Sequence, residues 1–62
     1  MELYLNGNKI NEIKSFTFNG LEKVMILELG NNQLKEMENE TFNGLTSLFY
    51  LDLKNNRISF GT

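Results

Sequence analysis

Neither cysteine nor histidine occurs anywhere in the chain. Their absence removes disulfide staples, the usual zinc ligands of a small domain, and the thiol and imidazole groups on which most nucleophilic catalysis depends. It also leaves the redox compartment open, since a chain without cysteine reports nothing about it. An excess of positive charge is lacking as well. Six Lys and Arg stand against eight Asp and Glu, a net charge of −2, so no electrostatic case exists for nucleic acid or an anionic membrane surface as partner. No apolar run approaches the ~20 residues of a membrane span, and no membrane contact is expected of this segment. No charged-then-apolar secretory leader opens the chain, which reads as a mature or an excised segment. The five glycines are scattered singly, so no phosphate-cradling loop is spelled. Ser15, Ser47 and Ser59 have no base beside them, and the expectation is a non-enzyme with no cofactor and no metal.

What the chain does contain is an echo. Thr17-Phe18-Asn19-Gly20-Leu21 returns letter for letter as Thr41-Phe42-Asn43-Gly44-Leu45. Sliding the chain by 24 positions makes 14 of 38 overlapping positions identical, where composition alone gives roughly two or three. A fixed period of this length marks a stacked-repeat architecture, in which no unit can bury its apolar face alone. The 62 residues allow one small domain, with repeats at approximately 1–23, 24–47 and 48–62. Leu, Ile, Val and Phe make up 20 residues, too many for a disordered segment.

Each repeat opens with an alternation: Glu2-Leu3-Tyr4-Leu5-Asn6, then Ile26-Leu27-Glu28-Leu29-Gly30, then Tyr50-Leu51-Asp52-Leu53-Lys54. Period two places the leucines on one face of a short strand and the intervening residues on the other. Strands related by translation are parallel neighbours, and the rest of each period is long enough for the crossover a parallel pair requires. Asn8, Asn32 and Asn56 fall where the chain must leave the sheet. A side-chain amide there can bond backbone groups of the turn, in its own repeat and the next, and a buried structural ladder is the expected role. Ile13 and Met37, Phe18 and Phe42, Leu21 and Leu45, and Val24 and Leu48 are spaced to stack as inward columns. A competing reading takes Asn6-Gly7, Asn19-Gly20 and Asn43-Gly44 as hairpin turns. The apolar spacing of three from Phe18 through Leu21 to Val24 argues instead for a short helical or 3₁₀ turn.

Val24 through Leu34 reads LxxLxLxxNxL with Val in the first slot; Leu48 through Ile58 fits it fully and Leu3 through Ile10 from its second leucine on. With Phe18-Asn19-Gly20-Leu21 and Phe42-Asn43-Gly44-Leu45 following, the chain resembles the leucine-rich repeat family in its 24-residue extracellular and receptor-type form. Lys14 and Glu38 stand where that form often has proline, which leaves the convex side less pinned, and the family's terminal caps are absent. The resemblance implies an α/β solenoid with a three-stranded parallel sheet on its concave side and irregular or 3₁₀ segments on its convex side. It also implies protein recognition through the concave face and an extracellular or cell-surface setting.

Strand parity places Glu2, Tyr4 and Asn6, Ile26, Glu28 and Gly30, and Tyr50, Asp52 and Lys54 on that face, with Met25 and Phe49 at its rim. Tyr4, Ile26, Glu28, Tyr50, Asp52 and Lys54 are the candidate binding residues, because tyrosine and apolar anchors among charges are what protein interfaces use. Met25 and Phe49 would otherwise simply cover the sheet edge. Glu28 and Asp52 share a column with backbones about 4.8 Å apart. Two carboxylates so placed could share a proton, bind a cation such as calcium weakly, or serve a retaining glycosidase, and the last also needs a cleft that excludes water and grips a sugar. An open sheet offers no water-excluding cleft, so solvated like charges screened by Lys54 and Arg57 are the plainer reading. Asn39-Glu40-Thr41 spells an N-glycosylation sequon, though about one such triplet is expected by chance at this composition.

The strands around Leu3 and Leu51 are expected to be bare sheet edges, and Leu48-Phe49-Tyr50-Leu51-Asp52-Leu53 to be the stickier of the two. Two functions follow. One is a recognition module, a fragment of a repeat ectodomain with a protein ligand. The other is a structural building block that forms homo-oligomers or docks end to end with another leucine-rich repeat chain.

Overall fold

The structure, a computed structural model, describes residues 1–38 and 40–58. Three short strands form, β1 (Glu2–Tyr4), β2 (Ile26–Glu28) and β3 (Tyr50–Asp52), side by side in chain order and all parallel. Register follows the sequence period: Leu3 lies against Leu27 and Leu27 against Leu51. Regular strand is shorter than the alternation suggests, but hydrogen bonding continues beyond it. Leu5 N–H donates to the Glu28 carbonyl at 2.8 Å and Gly7 N–H to Gly30, while Leu29 N–H donates to Asp52 at 2.8 Å and Asn31 N–H to Lys54.

The chain then turns through a left-handed residue at the same point of every repeat: Gly7 (φ 71°), Asn31 (φ 57°) and Asn55 (φ 57°). Glycine lacks the Cβ that penalises this region and asparagine tolerates it best among the rest, so the residue types fit the backbone. Gln33 N–H donates to Ile10 and Arg57 N–H to Leu34, both at 2.9 Å, so neighbouring repeats stay bonded beyond the turn.

The return leg is a run of turns. Thr17, Asn19, Leu21 and Val24 each donate to the carbonyl three residues earlier, and Thr41, Asn43, Leu45 and Leu48 repeat the pattern. Every strand pair is parallel, so the Asn-Gly dipeptides close no hairpin among the described residues. Gly44 (φ 97°) is held by packing as well as conformation: a Cβ there would lie 2.8 Å from the Phe18 carbonyl oxygen and 2.9 Å from the Asn19 Cα. That close approach brings the phenylalanines together. Phe18 and Phe42 stack with ring centroids 6.0 Å apart and planes within 4°.

Between sheet and return legs lies one apolar core of Ile13, Phe18, Val24, Leu27, Leu29, Leu34 and Leu45, with Leu3, Leu5, Ile10, Leu21, Met37, Phe42, Leu48, Leu53 and Ile58 packed around it. Burial peaks in the middle repeat, where Val24, Leu27, Leu29 and Leu34 are fully enclosed. On the return leg, Glu38 ties its repeat to the preceding one. In the place where proline was expected, its Oε1 accepts both the Ser15 amide (2.9 Å) and the Ser15 hydroxyl (2.8 Å) from the neighbouring repeat. Its own amide donates to the buried Thr41 hydroxyl oxygen at 2.9 Å.

Candidate functional site

Because the three strands keep a constant register, their outward side chains line up as rows across the sheet. Glu2, Ile26 and Tyr50 form one row and Tyr4, Glu28 and Asp52 the next. A further row lies at the start of the strands. Met25 N–H donates to the Met1 carbonyl at 2.7 Å and Phe49 N–H to the Met25 carbonyl at 3.0 Å, which stacks Met1, Met25 and Phe49 beside one another. These three side chains are 67%, 45% and 70% exposed. With half-exposed Tyr50 and Ile26 they make an apolar band across the sheet. Met25 and Phe49 were legible as rim residues; Met1 was not, since it precedes the first alternation.

Toward the other end of the strands the face is polar and partly self-satisfied. Asn6 Nδ2 donates to Glu28 Oε1 at 2.7 Å, and Asn6 Oδ1 accepts the Gly30 amide at 2.8 Å. Gly30 is buried beneath its neighbours: a Cβ there would meet Asn6 Oδ1 at 3.3 Å and Lys54 Cγ at 3.4 Å. Asp52 Oδ1 accepts the Lys54 amide at 3.0 Å, and Lys54 Nζ stands 4.0 Å from Asp52 Oδ2. That is the one ion pair among the described residues, and Arg57 takes no part in it. Tyr4 donates its hydroxyl to the Glu2 carboxylate, a bond that raises the phenol above its ordinary range. Glu28 has an amide neighbour but no cation within ion-pairing distance among the described residues.

Two residues of the asparagine column, Asn32 and Asn56, bond backbone groups of two neighbouring repeats. Asn32, buried, donates from Nδ2 to the carbonyls of Leu29 and Gly30 in its own repeat and Leu5 in the preceding one, while its Oδ1 accepts the Ile10 amide. Asn56 does the same toward Leu53, Lys54, Leu29 and the Leu34 amide. The ties run back to the preceding repeat rather than on to the next, because each asparagine follows the strand whose neighbour it completes. Asn8 is exposed and, among the described residues, bonds Leu5 and Asn6 of its own turn. A second asparagine contact escaped sequence reading: Asn55 Nδ2 donates to Asn31 Oδ1 at 2.9 Å, linking the two left-handed turns. Its signal was the identity of Asn31 and Asn55 one period apart, overshadowed by the asparagine that follows each.

Asn39, of the sequon, lies outside the described residues. A cleft of about 420 Å³ opens away from the sheet, lined by Asn11, Glu12, Lys35, Glu36 and Glu38, and it gathers no nucleophile with a base. Among the described residues no group of three or more acidic side chains is placed to hold a metal ion, and no helix is long and apolar enough to cross a membrane.

A parallel sheet in 24-residue register, an inward leucine column and a backbone-capping asparagine at each turn are now in view. Comparison with known families adds a match to the one described as leucine rich repeat, over residues 1–58. The chain belongs to the leucine-rich repeat family. No curated protein and no solved structure matches it. Leucine-rich repeat modules are generally non-enzymatic and bind proteins, and they occur in both extracellular and intracellular proteins. Within this leucine-rich repeat, the apolar band and the carboxylates beside it are the chemistry that the shared scaffold does not use.

Proposed function

We propose that the chain is a non-catalytic protein-recognition module whose sheet face, the concave side of the solenoid, is the binding surface. The observation that carries this reading is the continuous band of exposed Met1, Met25, Phe49 and Tyr50 with half-buried Ile26 among them, beside Tyr4, Glu28, Asp52 and Lys54. Large apolar side chains clustered on one rimmed face mark an interaction surface, whereas scattered ones do not. Residues 1–62 act as one unit in this reading, with repeats near 1–23, 24–47 and 48–62, and the 24-residue period favours an extracellular setting. The experiment is selection of binders from a displayed random-peptide library, followed by affinity measurement against an Ile26→Ser/Tyr50→Ser double variant and a Phe16→Ser control. Phe16 is 54% exposed on the return leg, away from the sheet. The double variant should lose at least tenfold and the control nothing. Unchanged affinity in the double variant sinks the sheet-face assignment.

The β3 edge supports a second reading, as the docking site of another repeat. Leu51 belongs to the core column yet is 38% exposed, and the period directs the amides of Leu53 and Asn55 outward, where Leu29 and Asn31 donate within the sheet. A further repeat, from a longer chain or a second copy, supplies the matching carbonyls. Light scattering at tens of micromolar tests the second copy. A stable monomer counts against it.

A further inference from the structure

We infer that the segment bound by the sheet face is extended and basic, with an aromatic or aliphatic side chain two residues from a Lys or Arg. This rests on the sheet face being the recognition surface and concerns what that surface selects.

The face is divided into two bands by the strands themselves. Ile26 and Tyr50 sit in one row and Glu28 and Asp52 in the row two residues further along. Residues two apart on a strand are separated by about 6.7 Å, and alternate side chains of any extended chain have that same spacing. A partner segment aligned with the strands therefore sets one side chain on the apolar band and the next on the same face over the carboxylates. Met25 and Phe49, both exposed, lengthen the apolar end and accept a bulky anchor.

Charge then fixes the sign of the second side chain. Among the described residues the face presents Glu2, Glu28 and Asp52 against one side-chain cation, Lys54. Lys54 stands beside Asp52 at 4.0 Å, at the β3 end, and among the described residues no cation lies within ion-pairing distance of the β1 and β2 carboxylates. Glu28 is half-buried and held by Asn6 at 2.7 Å, so it is already positioned and needs little further ordering to receive a guanidinium or ammonium. An acidic segment would be repelled at the same place, a selectivity that arises as much from rejection as from attraction.

The test titrates three peptides, Lys-Thr-Phe-Thr-Lys, Glu-Thr-Phe-Thr-Glu and Lys-Thr-Ser-Thr-Lys, into ¹⁵N-labelled protein. The first should shift the amides of Ile26, Glu28, Tyr50 and Asp52, bind at least tenfold tighter than the other two, and weaken as salt is raised. In a Glu28→Gln/Asp52→Asn variant, whose unchanged spectrum elsewhere certifies its fold, the preference for the lysine over the glutamate peptide should vanish. Equal or tighter binding of the glutamate peptide at the same amides overturns the basic partner and leaves the sheet-face reading standing. Shifts confined to the return legs overturn both. Absence of any shift at millimolar peptide overturns the basic partner, and the library selection then decides the sheet face independently.

Discussion

The side-chain amide of Asn32 donates to the Leu5 carbonyl at 3.0 Å, so an asparagine of the second repeat completes the turn of the first. Three further bonds, to Leu29, Gly30 and the Ile10 amide, are made by the same side chain in a buried setting. Replacing Asn32 with alanine strands several buried backbone groups at once, each costing on the order of 1–3 kcal/mol. Asn8 occupies the same column but is exposed and, among the described residues, bonds its own turn. Asn32→Ala should destabilise by about 3 kcal/mol and Asn8→Ala by less than about 1 kcal/mol in urea unfolding. Equal losses would show that the column acts within repeats rather than between them.

Gly20 and Gly44 give a second matched pair, identical in sequence context and both at positive φ. Alanine at Gly20 meets nothing within 4 Å and bears only the left-handed penalty of about 1–2 kcal/mol. At Gly44 the same methyl runs into the Phe18 carbonyl and the Asn19 Cα, backbone that cannot rotate aside. Gly44→Ala should therefore cost clearly more than Gly20→Ala, and it should disturb the Phe18–Phe42 stack, visible as changed aromatic ring-current shifts. A smaller loss at Gly44 would contradict the close stacking of the return legs.

Acid should loosen the tie between the return legs. The Glu38 carboxylate is held below its ordinary value of 4.5, first by the Ser15 hydroxyl and then by the Ser15 amide. A lowered folded-state value means that the contribution is complete above the unfolded-state value and is lost as pH falls through the folded one. Stability should thus be flat in this respect above about pH 5 and decline at lower pH, and Glu38→Gln should remove part of that decline. Thermal melts of both proteins from pH 6 to pH 3 check this. Parallel curves would mean that the bond adds nothing in solution.

Sheet, register and leucine column were legible because a 24-residue echo and a period-two alternation are direct records of translation and of one buried face. The outward rows were legible for the same reason, since parity follows from the strand. What escaped was whatever depends on contact across repeats rather than on pattern within one. Glu38 breaks the expected proline and looks like a loss, yet its carboxylate reaches Ser15. Asn6 and Gly30 look like ordinary outward residues, yet one side chain closes over the other's backbone. The direction of the asparagine ties, back rather than forward, depends on which strand needs completing, and spacing alone is symmetric.

Leu3, Leu27 and Leu51 share one column and one sequence motif, but not one environment. Leu27 is fully enclosed by a repeat on either side, Leu3 is half-buried, and Leu51 is 38% exposed. If stability comes from stacking rather than from each unit separately, the same truncation must cost different amounts along the column. Leu27→Ala should cost about 3 kcal/mol, the range for an enclosed leucine whose cavity cannot collapse. At Leu51 the cost should fall to about 1 kcal/mol, since much of the side chain already meets water. In urea unfolding the Leu27→Ala midpoint should therefore fall well below that of Leu51→Ala, with both transitions compared to the parent chain. Similar losses at both sites would mean that the repeats are stabilised one by one, and that the middle repeat is not the keystone its burial describes.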